Sequence, residues 1–356
     1  MDLKINPIDH DLMYDALERH RELAKPFGAL GMLEQLSAQV AGICGSLYPR
    51  VEGGKAVVVF AADNGVVDEG VTPIGQQITS LQACNMAEGR AGISILCQHV
   101  DAKLFVVDVG MAYDSLAMRI LNRRIRKGTD NIALGPAMSR EECYQAMEVG
   151  REMADTCAAQ GMVLLGGGEM GVGNTTTSSA ILTALLGVSA KEIAGYGAGV
   201  SEDGYRKKVL AIERAVETNR CNPDDPIDVL HKLGGFDIAA LVGYYIRAAQ
   251  LRCVVVIDGF IAIAAAMLAC RIAPALKEYL VLSHRSVEPG YDLAAKEMGL
   301  SPLLDMHMRL GEGTGCPLVF QLIEAAVRVL RDMATFEEIS VDSAQLIDSW
   351  QKFRRQ

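Results

Sequence analysis

Lys55-Ala-Val-Val-Val-Phe-Ala-Ala62, closed at once by Asp63-Asn64-Gly65-Val66, is the stretch on which the fold turns. An unbroken apolar run lacks the alternation of a half-exposed strand. It fits a strand covered on both faces, as in a parallel sheet layered by helices. Four further runs share this style, at residues 104–109, 162–165, 253–257 and 279–283. Between them, residues 141–158, 176–186 and 236–249 carry helical spacing. Strands alternating with helices predict an α/β protein: a three-layer, Rossmann-like parallel sheet with helices on both faces. The ends of the chain read differently. Leu12, Met13, Ala16 and Leu17 repeat at helical spacing, as do Leu30, Leu33, Leu36 and Val40 beyond a Pro26-Phe27-Gly28 break. Residues 317–331 and 341–353 are helical by the same test. The expected division is a large α/β domain over 52–316, carrying the active site, and a small helical lobe from 1–51 together with 317–356.

Composition narrows the function. Half of the 356 residues are hydrophobic and 22% are charged, so a sizeable core is available and a disordered chain is excluded. With aromatics at 5% and Trp350 the single tryptophan, that core must be aliphatic. A formal charge of −10 argues against nucleic acid held by counterion release, but not against an anionic small molecule bound by a local cation or a helix N-terminus. Nine cysteines without a CxxC pair, several inside apolar runs, read as reduced thiols of a cytoplasmic protein. The opening Met1-Asp2-Leu3-Lys4 lacks the layout of a signal peptide. The apolar stretch 253–270 is interrupted by Asp258-Gly259, so it reads as strand, turn and helix rather than a membrane span.

In an open parallel sheet, ligands bind beyond the carboxyl ends of the strands, so the turn after each strand matters. The five runs lead into Asp63-Asn64-Gly65, Gly110-Met111, Gly166-Gly-Gly-Glu169-Met-Gly171-Val-Gly173-Asn174-Thr175-Thr176, Asp258-Gly259-Phe260 and His284-Arg285-Ser286. Five such turns suggest one crevice. The third is the richest, since its glycines admit a ligand and the helix it opens can face an anion. A tight capped turn would explain the same residues. The loop is neither a Walker A sequence nor a GxGxxG fingerprint. A second glycine loop, Arg309-Leu-Gly-Glu312-Gly-Thr-Gly315, centres on a carboxylate that could be a general base or a solvated acid. Lys208, in Tyr205-Arg-Lys-Lys208, could bind a phosphate or belong to a solvated face. No HxxxH or Cys/His cluster points to a metal, and GxSxG is absent.

The motifs Asp63-Asn-Gly-Val, Gly168-Glu-Met-Gly-Val-Gly-Asn-Thr-Thr176, Gly234-Gly-Phe-Asp-Ile-Ala-Ala240, Asp258-Gly-Phe260, Ser286-Val-Glu-Pro-Gly290 and Arg309-Leu-Gly-Glu-Gly-Thr-Gly315 occur in this order. Together they closely resemble the nicotinate-nucleotide–dimethylbenzimidazole phosphoribosyltransferase family, which activates the lower-ligand base of cobalamin. The resemblance implies transfer of 5-phosphoribose from nicotinate mononucleotide to 5,6-dimethylbenzimidazole or a similar base, with no cofactor and no metal. It implies Glu312 as the catalytic base, with Glu169 and Gly171 lining the donor site. Lys208, Gly259 and Ser286 would contact the phosphoribosyl part, and Gln76 would stand beside the aromatic acceptor. It further implies a homodimer, while the charge and the interrupted apolar stretch described above predict no nucleic-acid or membrane partner. Asn64, Ile74-Gly75 and Cys316 depart from the family's commonest His, Tyr-Pro and Ala. Because Ile74-Gly75 lies toward the acceptor, two alternatives stay open: phenol or p-cresol as acceptor in a heterodimer with a paralogue, and a non-catalytic partner subunit.

Overall fold

In the computed structural model, which describes residues 3–340 except Leu116 and Ala198, six parallel strands form one sheet. They are β1 (Lys55–Ala62), β2 (Lys103–Gly110), β3 (Leu121–Asn122), β4 (Leu164–Met170), β5 (Val254–Ile257) and β6 (Leu280–Leu282). Their order is β3-β2-β1-β4-β5-β6. From β1 the chain steps outward through β2 to β3, then returns past β1 to lay down β4, β5 and β6. That reversal opens a crevice at the carboxyl ends of β1 and β4, where doubly wound sheets receive their ligands. Every residue of β1 is buried, as its unbroken apolar run requires.

Ahead of the sheet lie α1 (His10–Glu22) and α2 (Met32–Cys44), and between β1 and β2 come α3 (Gln77–Ala87) and α4 (Gly92–His99). The span from β3 to β4 holds α5 (Arg140–Ala159). After β4 come α6 (Asn174–Leu186), α7 (Ala190–Ile193), α8 (Glu202–Asn219), α9 (Pro226–Leu233) and α10 (Phe236–Gln250). The last are α11 (Phe260–Ile272), α12 (Pro289–Met298) and α13 (Gly315–Asp332). The three interior helices expected from spacing correspond to α5, α6 and α10.

The sheet is covered on both faces, and β4 shows how. Its glycines alternate sides, as strand residues must. A Cβ on Gly166 would lie 2.6 Å from that of Cys316 in α13, and one on Gly167 would lie 2.6 Å from the Tyr245 hydroxyl in α10. The sequence reading ends this strand at Leu165 and places Gly166-Gly167-Gly168 in a ligand-binding turn. The strand instead runs on to Met170, and its glycines make room for the protein's own helices rather than for a ligand. The terminal helices meet around Ala16, Ala38, Ala41 and Leu330, all fully buried. The further helix expected at 341–353 lies outside the described residues.

Candidate active site

Beyond the carboxyl ends of β4, β5 and β6 opens a cleft of about 330 Å³. Three of the five polar turns line it, contributing Glu169 to Thr176, Asp258 to Phe260, and His284 with Ser286. The turn after β1 stands one layer behind. Asp63 is wholly buried, and its carboxylate accepts the Thr79 hydroxyl (2.6 Å) and the Ala112 backbone N–H (2.8 Å). Thr79 in turn accepts the Val172 N–H (3.2 Å), so this chain of bonds ties β1, α3 and the loop after β4 together. Burial pushes the Asp63 carboxyl up to about 6.

Glu312 is 4% exposed, on a loop whose residues Gly311, Glu312 and Gly313 all have positive φ (78°, 63° and 85°). Such a backbone is unfavourable for glutamate and must be held by its surroundings. The holding group is Asp258, just past β5, whose carboxylate accepts the Gly313 N–H at 3.0 Å and the Gly315 N–H at 2.7 Å. Burial raises the Asp258 carboxyl to about 7, although these bonds favour its ionised form. From below, the loop rests on Gly168, where any Cβ would collide with the Glu312 carbonyl. The Glu312 carboxylate so placed accepts the Gln82 amide (2.7 Å) and, at 3.4 Å, the backbone N–H of Ile93 in the first turn of α4. Two donors fix its orientation, and its remaining lone pairs are left for an incoming proton.

Glu169 is the penultimate residue of β4 and is almost fully buried. Its carboxylate accepts the Asn174 side-chain amide. The same Asn174 amide reaches Asp237 at 3.1 Å. Burial first, and then the neighbouring Asp237 charge, hold the Glu169 carboxyl well above its usual range. Burial likewise raises Asp237 to about 7. Asn174 is the first residue of α6, so one side chain joins two buried acids at a helix N-terminus.

Lys208 is 1% exposed and donates to the Thr175 hydroxyl and the Gly195 carbonyl, both at 3.1 Å. Burial lowers its pKa, and the nearby Glu288 counteracts this. Its ammonium thus stands beside the first turn of α6, where free backbone N–H groups and a cation both favour an anion. Among the described residues no group of three or more His, Cys, Asp or Glu side chains is placed to hold a metal ion.

Of the residues singled out from sequence, Glu312, Glu169, Gly171, Lys208, Gly259 and Ser286 all line the cleft. Gln76 is not among its lining residues, and its amide donates to the Asn64 carbonyl at 3.3 Å. The sequence reading missed Gln82, the partner of Glu312, and the tethering role of Asp258. The available signal for Gln82 was its spacing of four from Ile78, which also lines the cleft.

A phosphoribosyltransferase family model matches residues 5–341. A nicotinate-nucleotide–dimethylbenzimidazole phosphoribosyltransferase of Clostridium perfringens is 43% identical over 344 residues, 97% of this chain and 95% of that protein. A protein of the same name in Geobacter metallireducens is 44% identical over 342 residues, 96% of this chain and 97% of that one. The crystal structure of such an enzyme from Thermus thermophilus superposes with a TM-score of 0.89 at 39% identity, covering 94% of this chain and 99% of that chain.

Proposed function

We infer from the chain's family — it belongs to the nicotinate-nucleotide–dimethylbenzimidazole phosphoribosyltransferases — that it moves 5-phosphoribose from nicotinate mononucleotide to 5,6-dimethylbenzimidazole or a similar base. The products are the α-riboside 5′-phosphate and nicotinate, for assembly of the nucleotide loop of a cobamide. The observation that carries this reading is the Glu312 carboxylate, oriented by Gln82 and the Ile93 N–H in the wall of the cleft that Lys208 also lines.

The chemistry suits one base and no acid. Nicotinate departs from a pyridinium, so breaking the bond from nitrogen to C1′ discharges a cation and needs no proton donor. The base's unprotonated ring nitrogen attacks the opposite face of the ribose, and the proton on its other ring nitrogen passes to Glu312. Placement supplies much of the remainder, because a bound donor and acceptor react as one unit. Lys208 and the N-terminus of α6 anchor the phosphate. Gly171, Gly259 and Ser286 shape the donor side of the cleft, with Glu169 beneath the loop that carries the base.

We place the protein in the cytoplasm on its nine unpaired cysteines. Among the described residues no helix is long and apolar enough to cross a membrane. The proposed assembly is a homodimer, in line with the family resemblance, to be checked by light scattering against the 38.2 kDa chain. The test of function is incubation of the purified chain alone with nicotinate mononucleotide and, in turn, dimethylbenzimidazole, benzimidazole, adenine, phenol and p-cresol, tracking nicotinate release and product mass. The expected preference is for dimethylbenzimidazole. Failure with every acceptor would refute the reading.

A further inference from the structure

We propose that Arg309 binds the ring carboxylate of the donor and thereby makes the protein select nicotinate mononucleotide over its amide counterpart. This rests on the phosphoribosyltransferase reading and adds to it a residue that sets donor specificity.

The charges lining the cleft pose the problem. Four carboxyl side chains, Glu169, Asp258, Glu288 and Glu312, line the cleft with two basic ones, Lys208 and Arg309. Nicotinate mononucleotide carries two separate anionic groups, the 5′-phosphate and the ring carboxylate. Lys208, buried beside the first turn of α6, suits the phosphate. A ring carboxylate entering this wall leaves water for a site lined by carboxyl groups, and a second cation would offset that cost.

Arg309 is the cation that remains. It is exposed on the cleft wall and, among the described residues, makes no ion pair or side-chain hydrogen bond. Arg285, also near this end of the sheet, is already engaged by Asp292 and Asp305. Arg309 leads directly into the loop that Asp258 holds through the Gly313 and Gly315 N–H groups. The next residue, Leu310, lines the cleft while 60% exposed, giving a flat ring an apolar neighbour beside the guanidinium. A planar guanidinium can grip a carboxylate through two parallel N–H bonds, and an amide forfeits both the charge and one acceptor.

The experiment is isothermal titration of the full chain and of its Arg309→Gln and Arg309→Lys variants with nicotinate mononucleotide and with nicotinamide mononucleotide. Arg309→Gln is expected to weaken the acid nucleotide by about ten- to a hundredfold, the range for a charge-assisted bond, and to leave the amide nucleotide within about twofold. Arg309→Lys is expected to recover part of the loss. Equal weakening of both nucleotides would overturn the proposal, since it would mean that Arg309 holds the shared phosphate or merely supports the loop. No weakening of either would overturn it as well. A wild-type chain that binds neither nucleotide would be a different failure, refuting the phosphoribosyltransferase reading and this inference with it.

Discussion

Replacing Glu312 by glutamine tests the proposed chemistry while disturbing little else. The two side chains are nearly isosteric. The glutamine oxygen can keep the 2.7 Å bond from Gln82, leaving its amide toward the Ile93 N–H, which is the longer contact at 3.4 Å. Losing that one long bond costs about 1 kcal/mol or less, so the fold and the donor site should persist. The proton acceptor, however, is gone. A positioned general base contributes about 10²–10⁴ in rate, or about 2.7–5.4 kcal/mol at roughly 1.36 kcal/mol per decade. Turnover is therefore expected to fall by two to four orders of magnitude, with donor affinity within about threefold of wild type on this reasoning. Nicotinate release under saturating substrates gives the first quantity, and titration with nicotinate mononucleotide gives the second. Turnover near that of the wild type would refute the assignment. A collapse of donor binding in a normally melting variant would show that Glu312 holds the donor instead of taking a proton.

Three further outcomes are expected from the tethers and the buried acids. Asp258→Asn can keep only one of the Gly313 and Gly315 bonds and turns an amide toward the other donor, so it should cost about 1.5–3 kcal/mol of stability and lower turnover at least about tenfold. Unchanged thermal melting and turnover would contradict the tether. Gly168→Ala drives a methyl group into the Glu312 carbonyl and should lower stability by about 1–3 kcal/mol and turnover with it; a fully active variant would mean that the loop can shift freely. The third concerns pH. The Asp237 carboxyl is raised from 3.8 to about 7, so between those values the folded chain holds a proton that the unfolded chain has released. Its contribution to stability is thus full below about pH 4 and is lost as pH rises toward about 7. Urea denaturation of wild type and Asp237→Asn at several pH values should show wild type losing ground to the variant as pH climbs through that window. A constant difference, or one of opposite slope, would contradict the assignment.

The legible parts of this protein are those encoded in short windows. Apolar runs located five of the six strands, because a strand covered on both faces is dominated by apolar residues. β3 escaped notice since two residues at a sheet edge, Leu121 and Asn122, form no pattern. The end of β4 was misplaced for the opposite reason: Gly166, Gly167 and Gly168 look like a turn until Cys316, Tyr245 and Glu312 are seen occupying the space their side chains would need. The motifs and the family resemblance pointed to Glu169, Lys208 and Glu312, all of which line one cleft. Gln82 lay hidden because α3 mixes polar and apolar residues without a clear face.

From sequence alone came the α/β class, the glycine loops at strand ends and the family resemblance, all properties of residues near one another along the chain. Only the folded chain decided which donors meet which acceptors. Gln82 and Glu312 are 230 residues apart, and Asp258 lies 55 and 57 residues from the amides it holds. Hydrophobic periodicity records whether a residue faces the core. It carries no record of the distant partner found there, because that pairing is fixed by strand order and by how closely the loops pack over Gly168.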